Sequence, residues 1–141
     1  MALTADTPNE FLLTDSIAKN SLPMGVVAIK EGAAVTLTSG TARALNVSDT
    51  GDGFQGFAIE AKDNTGGSAG DKRINVQSRG IKKMSVAGAS AVTNVSDAVY
   101  MTDDGTATLT VTGGLQVGKV YQWIVGTYCW VYFEALQLRS I

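Results

Sequence analysis

Apolar and polar positions alternate with a period of two through most of the chain, and that alternation predicts short β-strands. Val27 and Ile29 form one run and Val35 and Leu37 a second, with turns predicted at Glu31-Gly32 and Ser39-Gly40. From Gly53 to Ala61, the positions Phe57, Ile59 and Ala61 alternate with Gly56, Ala58 and Glu60. Ile74 and Val76 predict the next strand, and Ile81, Met84 and Val86 another beyond Arg79-Gly80. The Gly- and Asp-rich stretch from Asp63 to Asp71 lies before them and reads as a mobile loop. Ala98, Tyr100 and Thr102 lead into Asp103-Asp104-Gly105, and Thr106 to Val111 returns, a hairpin whose loop is two residues or longer.

The last hairpin is the most sharply defined. Val120 to Val125 and Tyr128 to Phe133 flank Gly126-Thr127, a Gly-X pair suited to a type II′ turn. A two-residue turn sets Val125 opposite Tyr128, Trp123 opposite Trp130 and Tyr121 opposite Tyr132. One face is then aromatic, and the other carries Ile124, Cys129, Val131 and Phe133. Trp123 and Trp130 are expected to be largely buried and structural. No helical period lasts ten residues anywhere, so the chain reads as all-β.

Residues 1–23 break the pattern. Phe11-Leu12-Leu13 sits among polar residues, Asp15 to Lys19 has room for a turn or two of helix, and Pro23 disfavours helix at Leu22. The division predicted is an extended, mobile N-terminal arm over 1–23 and a β-rich domain over 24–141, with the arm dispensable for the stability of the body. Phe11, Leu12, Leu13 and Ile17 are the arm's candidate contacts with a partner.

Composition narrows the chemistry. The 141 residues suit one domain, and 45% hydrophobic with 17% charged residues suits a packed core. Gly, at 16 residues, agrees with many turns. Eleven basic against thirteen acidic side chains, net −2, argue against a nucleic-acid partner. Asp6, Glu10 and Asp15 interrupt the first twenty residues, unlike a secretory signal, and no run approaches the roughly 18 apolar residues of a membrane span. No membrane partner is expected. Histidine is absent and cysteine occurs once, which removes the commonest general base, disulfides and Cys-rich zinc sites. Ser, Thr and Asp are plentiful, yet no nucleophile has an evident activating base, and the reading is of a non-enzyme with no cofactor and no metal.

Motif matches fall away on their mechanisms. Gly51-Asp52-Gly53-Phe54-Gln55-Gly56 fits GxGxxG, but the residues that follow alternate as a strand where the phosphate site needs a helix. The stretch Gly66 to Lys72 lacks the Gly before Lys and the Ser or Thr after it that a P-loop requires. Asp49 with Asp52, and Asp103 with Asp104, read as turn formers before calcium ligands. Asn46-Val47-Ser48 and Asn94-Val95-Ser96 are acceptor sequons without a secretion signal. Cys129, within an aromatic strand, reads as an inert buried thiol. Two features remain. Six of the ten aromatics lie in 121–133, as core or as a stacking platform for sugars. Lys72, Arg73, Arg79, Lys82 and Lys83 fall within twelve positions, as a docking patch for an acidic protein surface or as a solvated sheet face.

The order of segments resembles the capsid decoration, or cement, proteins of tailed double-stranded DNA bacteriophages. The resemblance covers about 24–138. It is carried by Gly25-Val26-Val27, by Ala34-Val35-Thr36-Leu37-Thr38-Ser39-Gly40, and by Gly53-Phe54-Gln55-Gly56-Phe57-Ala58. Gly70-Asp71 before Ile74-Asn75-Val76, then Arg79-Gly80 and the run Asp97 to Gly105, continue it. The long segment before Pro23 and the aromatic density of the last hairpin depart from the pattern. The resemblance implies a compact, small β-barrel or sandwich-like (β-tulip-like) domain. It further implies a structural virion protein that binds the outer surface of the head, stabilising it by clamping neighbouring subunits of the major capsid protein. A homotrimer on the capsid surface, assembled in the host cytoplasm, is the implied state, with the arm adding a strand to a coat-protein edge. Leu136 and Leu138, which prolong the alternation up to Arg139, agree with a buried contact between copies. The rival reading is a carbohydrate-binding or adhesion module of a phage fibre or head appendage, using Trp123 or Trp130.

Overall fold

The computed structural model describes residues 3–12, the backbone of 13–14, and residues 19–46, 53–111 and 114–136. Ile17, the Asp49–Asp52 pair, Leu138 and most of the first sequon therefore lie outside the described residues. The chain is all-β. In order, the strands are β1 (Phe11–Thr14), β2 (Lys19–Pro23), β3 (Ala28–Ile29), β4 (Ala34–Thr38), β5 (Thr41–Ala44), β6 (Phe54–Ala58) and β7 (Lys62–Asp63). β8 (Arg73–Gln77), β9 (Arg79–Ala87), β10 (Ala98–Met101), β11 (Ala107–Thr108), β12 (Leu115–Val125) and β13 (Tyr128–Glu134) follow.

β9, β11, β10, β12 and β13 pair in that order, and β13 returns to β9, closing a five-stranded barrel. Strand directions cannot alternate all the way round a ring of odd number, so one neighbouring pair must be parallel. That pair is β9–β11, and it is kept to two residue pairs, Val86 with Ala107 and Ala87 with Thr108. Closure removes the sheet edges that invite association. The second layer is the sheet β2-β8-β6-β4-β5, with β3–β7 as a small ribbon. β8 and β9 are separated only by Ser78, so one nearly continuous extended segment passes from the sheet into the barrel.

Two apolar clusters result. Val86, Val99, Met101, Val117, Val120, Cys129, Val131 and Phe133 fill the barrel and meet Phe54 and Phe57 of β6. Leu22, Met24, Ile29, Val35, Ile74 and Val76 form the other. All four phenylalanines of the chain belong to one contact group. Phe133 stands at 90° to Phe57 with ring centroids 4.9 Å apart, and Phe54 stands edge-on to Phe57 at 5.2 Å. Phe11 reaches Phe133 at 5.9 Å.

The N-terminal segment is corrected by this arrangement. It is not a detached arm over 1–23: β1 pairs with β9, Leu13 against Ile81, and β2 pairs along its whole length with β8, from Lys19–Gln77 to Pro23–Arg73. Leu22 is a core residue. These partners lie some fifty to seventy positions downstream, where periodicity does not reach.

Two other expectations change. The Asp63–Asp71 stretch is tied down, because buried Asn64 donates from Nδ2 to the carbonyls of Gly25 and Ser68, and Gly70 N donates to Met24 O. The last hairpin keeps its turn, with Val125 opposite Tyr128, Gly126 at φ 58° and Thr127 outside the positive-φ region, as type II′ asks. Its register differs beyond that. Irregularities at Ile124 and Tyr121 set Trp123 opposite Cys129 and Gln122 opposite Trp130, so the aromatic faces do not stack in pairs. Trp123 and Trp130 are only half-buried, while Cys129, Val131 and Phe133 face the core.

Replacing Phe133 by Ala should destabilise the chain by about 3–5 kcal/mol, the range for a large core aromatic, measured by urea unfolding. Removing residues 1–22 strips Phe11 and Leu22 from the two clusters. At roughly 1.5–3 kcal/mol per buried side chain it should lower stability by at least about 3 kcal/mol in the same assay.

Candidate functional site

The basic residues proposed as one docking patch are not brought together. Lys72 and Arg73 sit at the start of β8, where Lys72 Nζ donates to Asp63 O at 2.7 Å and Arg73 Nη2 to Ser21 O at 2.8 Å. Arg79 lies past the far end of β8, as the first residue of β9, and pairs with Glu134 at 3.9 Å. Lys83 pairs with Glu10 at 3.7 Å. Lys82 is buried, at 7% exposure. Alternation along β9 explains the last two: neighbouring residues of a strand face opposite sides.

Lys82 points inward with Met84 and Val86. Its ammonium lies 3.9 Å from the centre of the Phe57 ring and donates to Gly32 O at 3.2 Å. No carboxylate pairs with it among the described residues, and burial pulls its pKa from 10.5 to about 7. Taking an ammonium out of water favours its neutral form, and a ring face and one carbonyl offset only part of that cost.

A strap formed by residues 3–10 covers this region. Thr7 N donates to Glu31 O, Glu31 N to Asp6 Oδ1, Asn9 Nδ2 to Ala58 O and Lys83 N to Glu10 O. At its start, Leu3 N donates to Asp104 Oδ1 at 3.0 Å. Burial raises the pKa of Asp104. The strap presses closely on Gly32, where an added Cβ would lie 2.0 Å from Thr7 O, and φ there is +87°. Only glycine fits that position. Strap, β9 and the β10–β11 turn line an open-mouthed cavity of about 370 Å³, with Phe57 and Lys82 in its wall.

The second surface is the outer side of the β12–β13 hairpin. Val125, Tyr121 and Tyr128 are 62%, 53% and 47% exposed. Trp123 is less available, since its indole N–H donates to Gly126 O at 2.9 Å. Tyr132 donates to Glu134 at 3.0 Å.

The arm contacts are divided. Phe11 packs against the barrel core, Leu12 is 51% exposed, and the side chain of Leu13 and all of Ile17 lie outside the described residues. Cys129 lies fully buried inside the barrel, where burial raises the pKa of its thiol. Gly53 leads directly into strand β6, so no helix begins at the GxGxxG match. Asp103 accepts from Gly105 N across its turn. Asn94 accepts from Ser90 N and Ala91 N and donates to Asp97, which gives the second Asn-Val-Ser-Asp stretch a local role.

Comparison with protein families, with curated proteins and with solved structures finds no match to this chain.

The sequence signal for Lys82 was present but is easily passed over. Met84 and Val86 share its phase in β9, so the strand that buries them buries Lys82 too. Because its folded pKa lies below the unfolded value, the unfolded chain binds the extra proton between about pH 7 and 10.5. Stability contributed by this group therefore rises with pH across that window, by about 1.4 kcal/mol per unit at most. Lys82→Met should remove that rise, so that in urea melts from pH 6.5 to 9.5 the stability of the wild type relative to the variant climbs with pH, by up to about 1.4 kcal/mol per unit.

Proposed function

We propose that the chain is a structural virion protein that decorates the outer surface of a tailed-phage head and clamps neighbouring subunits of the major capsid protein, as a homotrimer at local three-fold positions. The observation that carries the reading is the apolar end of the β12–β13 hairpin, exposed on a closed barrel. Tyr121, Val125 and Tyr128 offer two aromatic rings and a branched side chain to a partner, the composition favoured at protein interfaces. A closed barrel presents such a tip rigidly, which keeps the entropic cost of association low. Half-exposed Leu136 lies just beyond β13 and adds to the apolar surface available to a neighbouring copy. Grip on the coat is assigned to the hairpin, with Leu12 contributing, because Phe11 is already spent on the core.

A glycan-binding role is favoured by one feature, the exposed rings of Tyr121 and Tyr128. It loses weight at Trp123, whose indole N–H is committed within the hairpin.

Purified protein should co-sediment with expanded heads that lack it, a head reconstruction should show it as a trimer at local three-fold positions, and sedimentation velocity gives the state of the free chain. Tyr128→Asp should weaken head binding by at least about tenfold, as expected for an interface anchor, with little change in melting temperature. Failure of the wild-type chain to bind heads overturns the proposal. Saturable tyrosine or tryptophan fluorescence changes with host glycans, without head binding, assign the hairpin to carbohydrate.

A further inference from the structure

We propose that the cavity over Lys82 is a binding site for a small carboxylic acid with an apolar body, its carboxylate seated on the Lys82 ammonium. The cavity, about 370 Å³, lies at the small end of ligand sites, which run to about 300–1,000 Å³. Leu3 and Pro8 of the strap, Phe57 of β6, Met84 of β9 and Met101 of β10 give it an apolar wall. One polar group on that wall has unmet capacity. Lys82 carries three donors when protonated, and the structure gives it one acceptor, Gly32 O, beside the Phe57 ring.

The other charges nearby do not serve it. Glu10 of the strap and Lys83 of β9 pair with each other across the rim at 3.7 Å. Asp104, in the β10–β11 turn, is engaged by Leu3 N, and Tyr128 of β13 stands 5.6 Å from the Lys83 ammonium. An anion entering the cavity thus meets a cation without a counter-charge, in surroundings where water screens the attraction poorly. An apolar body is selected by the walls and a carboxylate by the amine.

The site is coupled to protons. With the free amine titrating near pH 7, a carboxylate bound at higher pH must take up a proton with it. Its affinity is level from about pH 7 down to about pH 5, below which the acid itself takes up the proton, and falls by up to tenfold per unit above pH 7.

The test uses the full chain and phenylacetate, with hexanoate as a second acid and phenylacetamide as the neutral counterpart. Two-dimensional NMR titration should show saturable shifts of the Lys82, Met84 and Met101 signals with either acid. Affinity for phenylacetate should be at least tenfold higher at pH 6 than at pH 9, and phenylacetamide should bind at least tenfold more weakly at pH 6. Lys82→Met should abolish acid binding. The amide comparison and the pH series need no variant, so they decide the matter even if that replacement disturbs folding. No saturation at millimolar acid, equal binding of acid and amide, or an affinity indifferent to pH overturns the proposal. None of these outcomes depends on whether the chain binds heads.

Discussion

The packing of Phe133 edge-on against Phe57 is the contact on which the architecture turns. Phe133 belongs to the barrel and Phe57 to the open sheet, and their centroids are 4.9 Å apart. Edge-to-face aromatic pairs add about 0.5–1.5 kcal/mol beyond the area they bury, and they fix an angle as well as a distance. Phe54 joins from the same strand as Phe57, and Phe11 from β1. The sheet and the barrel thereby share one core at their junction. The extended segment from β8 into β9 carries the chain across the same seam, so covalent continuity and aromatic packing coincide there.

From that seam the position of the candidate cavity follows. β9 must turn an inward face toward β6 for the barrel to dock, and the inward residue nearest Phe57 is Lys82. The strap then finds its path over Gly32, which has no side chain to obstruct it. A charged group beside this aromatic contact is costly, and burial accordingly pulls its pKa down to about 7. A methionine would fit the same stem without the penalty.

How far the sequence discloses this structure depends on the range of each interaction. Strands β8 and β13 follow from alternation because one face of each is buried and period two is a local property, whereas β4 buries neighbouring residues from Ala34 to Thr36 and β6 is buried along its whole length. The Gly126-Thr127 turn follows from backbone sterics alone. The register beyond it does not, because irregularities at Ile124 and Tyr121 answer to the closing of the barrel. The segment before Pro23 looks like an arm because its strands find their partners only in β8 and β9. The five clustered basic residues look like a patch because sequence proximity conceals a period-two split and the length of an extended strand.

The two surfaces proposed for function differ in what they require of the body. The hairpin tip works through rigidity: its apolar residues are exposed on strands that closure holds in place. The Lys82 cavity has the strap for one wall, held by spaced hydrogen bonds at Leu3, Asp6, Thr7, Asn9 and Glu10 and by the Glu10–Lys83 ion pair. Bonds spaced in this way can open singly, whereas a strand ladder opens cooperatively. Tyr128 borders both sites, with one edge exposed on the hairpin and the other in the cavity wall beside Lys83. A partner docked on the hairpin would bury the ring that closes one side of the cavity. Any coupling of the two sites through that ring is reciprocal: the acid and the partner change each other's affinity by the same factor.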